Sequence, residues 1–152
     1  MPVARSSEDE EELDLLEVRS APPEVEGLSV EAVASLYPTE DSSAVGKAIL
    51  NMFPTMDLEV ADGTMTGRAD GPMALARFRR RIREMRIRDT ARVQLGNGLG
   101  DVSMVFALNK QSAFARVPNF SMGGAPLGDI EVSVQADDPE TVVQWLCELD
   151  DD

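Results

Sequence analysis

The residues of this chain that could do chemistry are arginines, and eight of them lie between Arg77 and Arg92. That segment contains no lysine, and the whole chain has twelve arginines but only two lysines, Lys47 and Lys110. A guanidinium is planar, carries five N–H donors and matches a phosphate or a carboxylate with two parallel hydrogen bonds. The segment therefore predicts the binding of an anionic ligand.

Other kinds of chemistry find few candidates. Histidine is absent and Cys147 is the single cysteine, which excludes Ser–His and Cys–His dyads, an internal disulfide and Cys/His metal sites. Asp137 and Asp138 suit a helix cap, and Asp62 suits a turn, better than acid–base roles. The glycine-rich run 96–100 lacks the phosphate-loop pattern and precedes a strand. We expect a protein that is not an enzyme, with no catalytic residue, metal site or cofactor, and with Cys147 in the core.

The arginine segment predicts an amphipathic helix that begins near Pro72 and reaches about Arg86, followed by a second helical stretch over 88–95. Its apolar residues fall within an arc of about 100° and predict a stripe that packs on a sheet: Ala74, Leu75, Phe78, Ile82 and Met85. The arginines occupy the remaining arc and are predicted to face solvent or a groove: Arg77, Arg79, Arg80, Arg81, Arg83 and Arg86. Within the helix only Glu84 can neutralise them, by pairing with Arg80 or Arg88.

Three environments could suit this arginine surface. Carboxylates from elsewhere in the fold, such as Glu40, Asp41 or Asp129, could form ion-pair networks with it. A basic amphipathic helix could also lie on an anionic membrane, although exposed large apolar residues are lacking. Nucleic-acid phosphates are the interpretation we favour, because arginine adds bidentate and stacking contacts to simple charge attraction.

Charge divides the chain into three predicted regions. Residues 1–27 hold nine acidic and two basic residues, and the acidic run Glu8–Glu12 and the proline-containing segment 21–24 indicate a disordered acidic tail. Residues 28–149 are predicted to form a single α+β RNA-binding-like domain, and 150–152 a second acidic tail. Within that domain, residues 72–118 contain ten basic and three acidic residues, so the domain is strongly polarised.

The overall acidity indicates the salt concentration in which the protein works. The formal net charge is −14, and lysine is scarce, a combination that indicates adaptation to molar intracellular salt, where repulsion between like charges is screened. No apolar run approaches the length of a membrane span, and the N-terminus is acidic where a secretory signal is basic. We therefore expect a cytoplasmic protein without membrane contacts.

Periodicity and turn residues predict the order of elements as strand, helix, hairpin, helices, strand, strand, helix. The hairpin is centred on Asp62-Gly63, a strong two-residue turn signal. The other predicted elements are strands over 28–37, 102–108 and 129–134, helices over 42–53 and 139–149, and a short helix or turn over 109–115. This order predicts an α+β two-layer domain with helices packed on one face of a mostly antiparallel or mixed sheet.

Four sequence blocks go beyond composition: Tyr37–Asp41, Ile87–Arg92, Leu108–Gln111 and Pro126–Val132. Together, and in this order, they resemble a small archaeal family of uncharacterised proteins described as predicted exosome subunits or RNA-binding proteins. The resemblance covers residues 28–148 and leaves out both acidic tails. With the acidity, it identifies the chain as a member from a haloarchaeon.

The resemblance implies a fold like that of the ribosomal large-subunit protein that binds 5S RNA. It also implies a binding surface that includes Arg88, Asp89, Arg92, Asn109, Lys110 and Gln111. We therefore expect a non-catalytic RNA-binding protein, associated with RNA processing or the exosome, and Phe114 and Phe120 as candidates for base stacking.

The predicted nucleic-acid-binding residues are Arg77, Arg80, Arg81, Arg83, Arg86, Arg88, Arg92, Asn109, Lys110, Gln111 and Arg116. An alternative function is a protein-interaction module that docks an acidic partner through the same arginine surface. The sequence leaves the identity of the RNA and the oligomeric state open.

Overall fold

The structure is a computed structural model and describes residues 7–20, 22–122 and 127–148. These residues form six helices and five strands. In chain order they are α1 (Ser7–Ser20), β1 (Ser29–Ser35), α2 (Ser42–Met52), β2 (Asp57–Ala61), β3 (Thr64–Asp70), α3 (Met73–Glu84), α4 (Arg88–Asn97), β4 (Ser103–Asn109), α5 (Lys110–Phe114), β5 (Asp129–Gln135) and α6 (Pro139–Leu146).

The five strands form one antiparallel sheet in the order β2-β3-β1-β5-β4. Alternation of buried and half-exposed residues along β1, β3, β4 and β5 shows that one face of the sheet is covered and the other is open. The helices pack on the covered face. The predicted α+β architecture is confirmed.

Local signals in the sequence account for most element boundaries. The Asp41 carboxylate caps α2 by accepting a hydrogen bond from the Ser43 amide, and Asp138 caps α6 in the same way through Thr141, with Pro139 in the first turn. Asp62 and Gly63 both adopt positive φ angles in the predicted hairpin turn between β2 and β3. The predicted last helix is shorter than expected, since α6 ends at Leu146.

The core between the sheet and the helices is built largely from aliphatic side chains around a few aromatic rings. Phe78 of α3 stacks on Phe106 of β4 with ring centroids 5.3 Å apart, and Phe53 packs against the Phe78 ring at 5.4 Å. Leu75, Phe78 and Ile82 are fully buried, which places the predicted apolar stripe of α3 against the sheet.

The prediction of a disordered acidic tail over 1–27 is wrong for residues 7–20. These residues form α1, which packs against α3. Leucine and glutamate dominate its sequence, glycine and proline are absent from it, and the acidic residues of its first turn suit the positive end of a helix dipole. Residues 1–6, 21 and 149–152, which include the predicted second acidic tail, lie outside the described residues.

The glycine-rich run 96–100 is divided between the end of a helix and a turn against the edge strand. Helix α4 continues through Asn97, and the segment after it is tied to the outer edge of β4. The Val105 amide donates to the Gly98 carbonyl at 3.0 Å, and the Gly100 amide donates to the Ser103 carbonyl at 2.7 Å. A Cβ atom at Gly98 would lie 1.8 Å from the Val105 carbonyl oxygen, so this close approach requires glycine.

Candidate nucleic-acid interface

The face of α3 opposite its apolar stripe carries Arg77, Arg79, Arg80, Arg81 and Arg83, which we call the arginine face. The prediction that these side chains face solvent is wrong. Arg77, Arg79, Arg80 and Arg81 are buried, and Arg83 is about one third exposed. Met85, predicted to belong to the apolar stripe, is instead 47% exposed because α3 ends at Glu84.

Helix α1 covers the arginine face with carboxylates. Asp14 contacts two arginines, with Arg77 Nη2 at 3.1 Å and Arg80 Nη2 at 3.2 Å. Glu10 contacts Arg81 Nη2 at 3.2 Å, Arg80 Nη2 at 3.5 Å and Arg77 Nη1 at 3.7 Å. Both carboxylates are buried, so these ion pairs are shielded from water.

The third buried carboxylate of α1, Glu17, pairs with Arg79 and with Arg83. Two arginines are also held by the body of the protein. Arg79 Nε donates to the Trp145 carbonyl of α6 at 2.8 Å and its guanidinium lies over the indole ring, 5.4 Å from the centroid. Arg81 Nε donates to the Asn51 carbonyl of α2 at 2.7 Å.

Four carboxylates contact the five guanidinium groups of the arginine face in the ion pairs between described residues: Glu10, Asp14 and Glu17 of α1, and Glu84 of α3. Burial by itself raises the pKa of Glu10, but Arg77, Arg81, Arg80 and Arg116 outweigh it and hold that pKa below its usual value.

Burial and neighbouring charges also shift the pKa values of the arginines. Burial lowers the pKa of Arg81, the neighbouring guanidiniums of Arg77, Arg80 and Arg116 lower it further, and Glu10 offsets only part of this effect. Arg80 is also buried, which lowers its pKa, but Asp14 and Glu84 more than compensate and raise it overall. Its Nε is a buried donor that has no hydrogen-bond partner among the described residues.

The buried acids of α1 are spaced so that they lie on one side of the helix. Glu10, Asp14 and Glu17 stand at i, i+4 and i+7, on one side of a helix, whereas Leu15 and Leu16 point outward and are about half exposed. The usual signal for a docking face is a buried apolar stripe, but the buried side chains that the structure describes in α1 are acidic, and Leu13 and Val18 beside them are only half-buried. The signal that could have found it is the match between this acidic stripe and the arginine face.

The other predicted arginines do not form one surface with the arginine face, with one exception. Arg86 is exposed with a positive φ in the turn after α3. Arg88 and Arg92 donate to the carbonyls of Glu148 and Cys147 at 3.4 and 3.3 Å, so they satisfy the end of α6. Arg116 is exposed and lies close enough to affect the pKa values of Glu10 and Arg81, so it extends the arginine face.

Lys110 is a structural residue, and its predicted place on a binding surface is wrong. Its Nζ donates to the carbonyls of Ser35 and Leu127, both at 2.6 Å, and to Glu40 Oε1 at 3.0 Å. These contacts use its three N–H donors, and the Tyr37 ring lies 5.3 Å away. Residues from three of the four sequence blocks contact this buried amine. These blocks therefore act as a structural clamp, in which Lys110 holds separate segments of the chain together.

Of the remaining predicted residues, some have structural roles and one is exposed. Asn109 caps α5, because its Oδ1 accepts a hydrogen bond from the Ser112 amide at 2.9 Å. Gln111 is exposed. Phe120 packs edge-on against Phe78 and Phe106, so the prediction that it stacks on a base is wrong.

Phe114 is half exposed and lies on the α5 side of the arginine face. Asn51, whose carbonyl accepts from Arg81, donates through Nδ2 to the Phe114 carbonyl at 3.0 Å. This pair of hydrogen bonds links the phenylalanine to the end of the arginine face that also carries Arg116. A base-stacking role for Phe114 stays a prediction.

Two other surfaces offer less to an anionic chain. The only aromatic residue in the five strands, Phe106, is buried, and the open sheet face carries the exposed Arg68–Glu31 ion pair. A cleft of about 970 Å³ beside α6 includes Arg92 together with Glu24, Glu140 and Glu148. Its acidic lining repels phosphates.

Within the described part of the chain, no cluster of three or more His, Cys, Asp or Glu side chains is arranged to hold a metal ion. Likewise, none of the described helices combines the length and the apolar character that crossing a membrane requires.

Comparisons with known proteins identify relatives in archaea. A UPF0201 protein of Thermococcus onnurineus is 36% identical over 121 residues, which cover 77% of this chain and 89% of that protein. A UPF0201 protein of Methanothermobacter thermautotrophicus is 37% identical over 118 residues, with the same two shares. No family model matches the chain.

A solved structure gives the same result. The UPF0201 protein from Methanococcus jannaschii superposes with a TM-score of 0.70 and is 30% identical. The match covers 98% of that chain but 78% of this one, so part of this chain has no counterpart there. The fold and the sequence agree, and the chain belongs to the archaeal UPF0201 family.

Proposed function

We propose that the protein is a non-catalytic RNA-binding protein that holds a phosphate backbone on the arginine face of α3, extended by Arg116. The observation that carries this proposal is the concentration of five guanidinium groups on one helix face, with a single carboxylate, Glu84, supplied by the same helix. Such a face requires anions from outside α3. In this structure, α1 supplies them as carboxylates.

The arrangement of the arginines suits a ligand with closely spaced anionic groups. Three carboxylates of α1 each contact two or three of the five guanidiniums, and the buried Arg80 Nε donor is left without a partner among the described residues. A polynucleotide brings one phosphate per nucleotide, and each phosphate can accept two parallel hydrogen bonds from one guanidinium. RNA can therefore supply the anions that α1 supplies in this structure.

The surroundings favour a single-stranded segment. Phe114 offers half of its ring surface next to Arg116, and stacking of a base on an aromatic ring requires an unpaired base. The open sheet face lacks an aromatic ring, so recognition by stacking on the sheet is not available. The resemblance to RNA-binding proteins found in the sequence blocks supports the same class of ligand.

The cellular setting belongs to the proposal as well. We place the protein in the cytoplasm of a cell with molar salt, associated with RNA processing or the exosome. The support is the net charge of −14 and the use of twelve arginines with two lysines. High salt weakens contacts that depend on charge alone, whereas the bidentate and stacking contacts of arginine persist better.

Fluorescence anisotropy with a labelled single-stranded RNA, measured over a series of KCl concentrations, tests the proposal. Arg80→Gln/Arg83→Gln should weaken binding by about tenfold or more and reduce the log–log salt slope by about 1.4, because two phosphate contacts are lost. The control is Arg68→Gln/Arg92→Gln, which removes the same charge away from the arginine face. Equal losses in both double variants would contradict a site on α3.

A second candidate function is the docking of an acidic protein segment. The observation that favours it is the occupant itself, since an acidic helix already lies on the arginine face. A labelled peptide with the sequence of residues 7–20 should then bind the protein in trans, and a cellular partner should stay bound after nuclease treatment. Loss of the partner with nuclease supports RNA instead.

A further inference from the structure

We propose that α1 is an internal ligand of the arginine face that a polyanion must displace, so that this helix determines both when the face is open and which anions can open it. The inference rests on the proposed function, because it concerns the same face. It adds the regulation of that face and a requirement for several adjacent anionic groups in the ligand.

The contacts of α1 are those of a helix that can leave. Its buried side presents Glu10, Asp14 and Glu17, with the half-buried Leu13 and Val18 beside them, while Leu15 and Leu16 face outward. Helices in proteins usually owe their stability to a packed apolar face. Ion pairs replace that contribution here, and their desolvation cancels much of their attraction. The docking of α1 is therefore specific in its contacts but weak in free energy.

The arginine face does not depend on α1 for its shape. The apolar stripe of α3 is buried against the sheet, and Arg79 and Arg81 are anchored to the carbonyls of Trp145 and Asn51. These anchors belong to α6 and α2, which stay in place when α1 moves. Removal of α1 exposes an arranged set of donors and does not collapse the site.

The chain around α1 allows this exchange. The chain after α1 is attached to the body of the protein from Val25, which packs against the core, and Glu26, whose amide donates to Asp137 Oδ1 at 2.9 Å. Pro22 and Pro23 lie between these anchors and α1, so α1 can leave without a change in the sheet. Because α1 belongs to the same chain, it competes with any ligand at a high local concentration. The apparent affinity of the ligand falls in proportion to the fraction of molecules in which α1 is released. Because the ion pairs are buried, salt screens them less than it screens exposed charges.

Charge counting sets the kind of ligand that competes. Three carboxylates must be replaced together, because each of them contacts two or three arginines. A mononucleotide occupies one of these positions and leaves the rest of α1 in place. A single-stranded polynucleotide or a polyphosphate chain replaces all three.

Three variants of the full-length chain separate the roles of charge and helix. The inner variant, Glu10→Gln/Asp14→Asn/Glu17→Gln, neutralises the buried acids. The outer variant, Glu8→Gln/Glu11→Gln/Glu12→Gln, removes the same charge from exposed positions of the same helix. Leu15→Pro breaks α1 without changing any charge, and Leu15→Ala is its control.

The measurements are the affinity for a labelled oligouridylate of about 20 nucleotides in about 0.1 M KCl, and hydrogen exchange of the α1 amides. The inner variant and Leu15→Pro should bind RNA about tenfold more tightly than the parent, and the outer variant and Leu15→Ala should stay within roughly threefold of it. In the parent, saturating RNA or polyphosphate should remove the protection of α1, and uridine monophosphate at the same phosphate concentration should not.

Two results would overturn the inference in different ways. If α1 stays protected in the RNA-saturated parent, or if Leu15→Pro binds no better than the parent, α1 is not a competitor, while RNA binding itself stands. If Leu15→Pro shows open α1 amides and binds no RNA, the proposed function fails and this inference fails with it.

Discussion

The carboxylate of Asp14 and the guanidinium of Arg80 form an ion pair, with Oδ1 3.2 Å from Nη2, in which both side chains are only 2% exposed. These residues are separated by 66 positions in the sequence. One belongs to the segment that charge and composition predict to be disordered, and the other to the helix predicted to bind RNA. Their contact shows that the predicted acidic tail and the predicted arginine surface form one buried interface.

This contact changes how variants of the site should be interpreted. Loss of one partner from a buried pair usually destabilises a protein strongly, because the other charge stays buried. Here the helix that carries Asp14 can leave instead, and the arginines then regain water. Substitutions in α1 should therefore release α1 without unfolding the sheet.

Acid should release α1 through Glu10. Its pKa lies below its usual value of 4.5, because the attraction of Arg77, Arg81, Arg80 and Arg116 exceeds the effect of burial. A carboxylate whose pKa is lowered in the folded state contributes stability above about pH 4.5, and that contribution is lost as the pH falls through the lowered pKa. Fluorescence of the single tryptophan, Trp145, which lies beside Arg79, should report the release.

The comparison is with Glu10→Gln, which cannot titrate at this position. The acid-induced change in Trp145 fluorescence should be less steep in Glu10→Gln. Glu12→Gln, which changes an exposed acid on the same helix, should show the same fluorescence change with pH as the parent. Identical acid limbs in the parent and Glu10→Gln would rule out this role for Glu10.

Phe114→Ala should weaken the binding of single-stranded RNA by about tenfold, since stacking on an aromatic ring contributes about 1–3 kcal/mol per base. The affinity for polyphosphate, which has no bases, should stay the same. The measurement is anisotropy with both ligands, with Val105→Ala as the control for loss of an exposed apolar side chain elsewhere. A parallel loss for both ligands would show that the effect comes from the fold.

Lys110→Met should lower the free energy of unfolding by about 3 kcal/mol, because it removes the cation that pairs with Glu40 in a buried setting. It should not change the affinity of RNA at the arginine face while the protein is folded. Lys47→Met is the matched control, since Lys47 is the other lysine and is exposed on α2. Urea denaturation measures both, and equal stabilities would contradict the role of Lys110 as a clamp.

Gly98→Ala should destabilise the protein by at least about 2 kcal/mol, because the new Cβ would collide with the Val105 carbonyl oxygen and separate the α4–β4 connection from the edge strand. Gly96→Ala in the same region meets no atom within 4 Å and lies within α4, so it should be neutral or stabilising by up to about 1 kcal/mol. Gly98→Ala should therefore lower the melting temperature, whereas Gly96→Ala should leave it unchanged or raise it.

Much of the architecture could be predicted from local patterns. Asp62-Gly63 defined the hairpin, Asp41 and Asp138 defined helix starts, and the 3.6-residue period of Leu75, Phe78 and Ile82 defined the buried side of α3. These features depend on backbone geometry and on residues that are close in sequence, so a single chain is enough to reveal them.

The environment of the charges could not be predicted in this way. Lys110 looked like a ligand-binding residue, but its amine meets Ser35, Glu40 and Leu127, which only the fold brings together. Arg88 and Arg92 looked like a continuation of the arginine face, yet they end on carbonyls of α6. A charged side chain has the same sequence signature whether it faces water, a carbonyl or a carboxylate.

The sequence by itself determined that α3 would have an apolar side against a sheet and a side crowded with arginines, because helical periodicity is a local property. Only the tertiary structure decided which anions those arginines meet. Pairing Asp14 with Arg80 requires α1 to fold and to lie on α3, and the balance between desolvation and attraction at that distance depends on the packing of both helices.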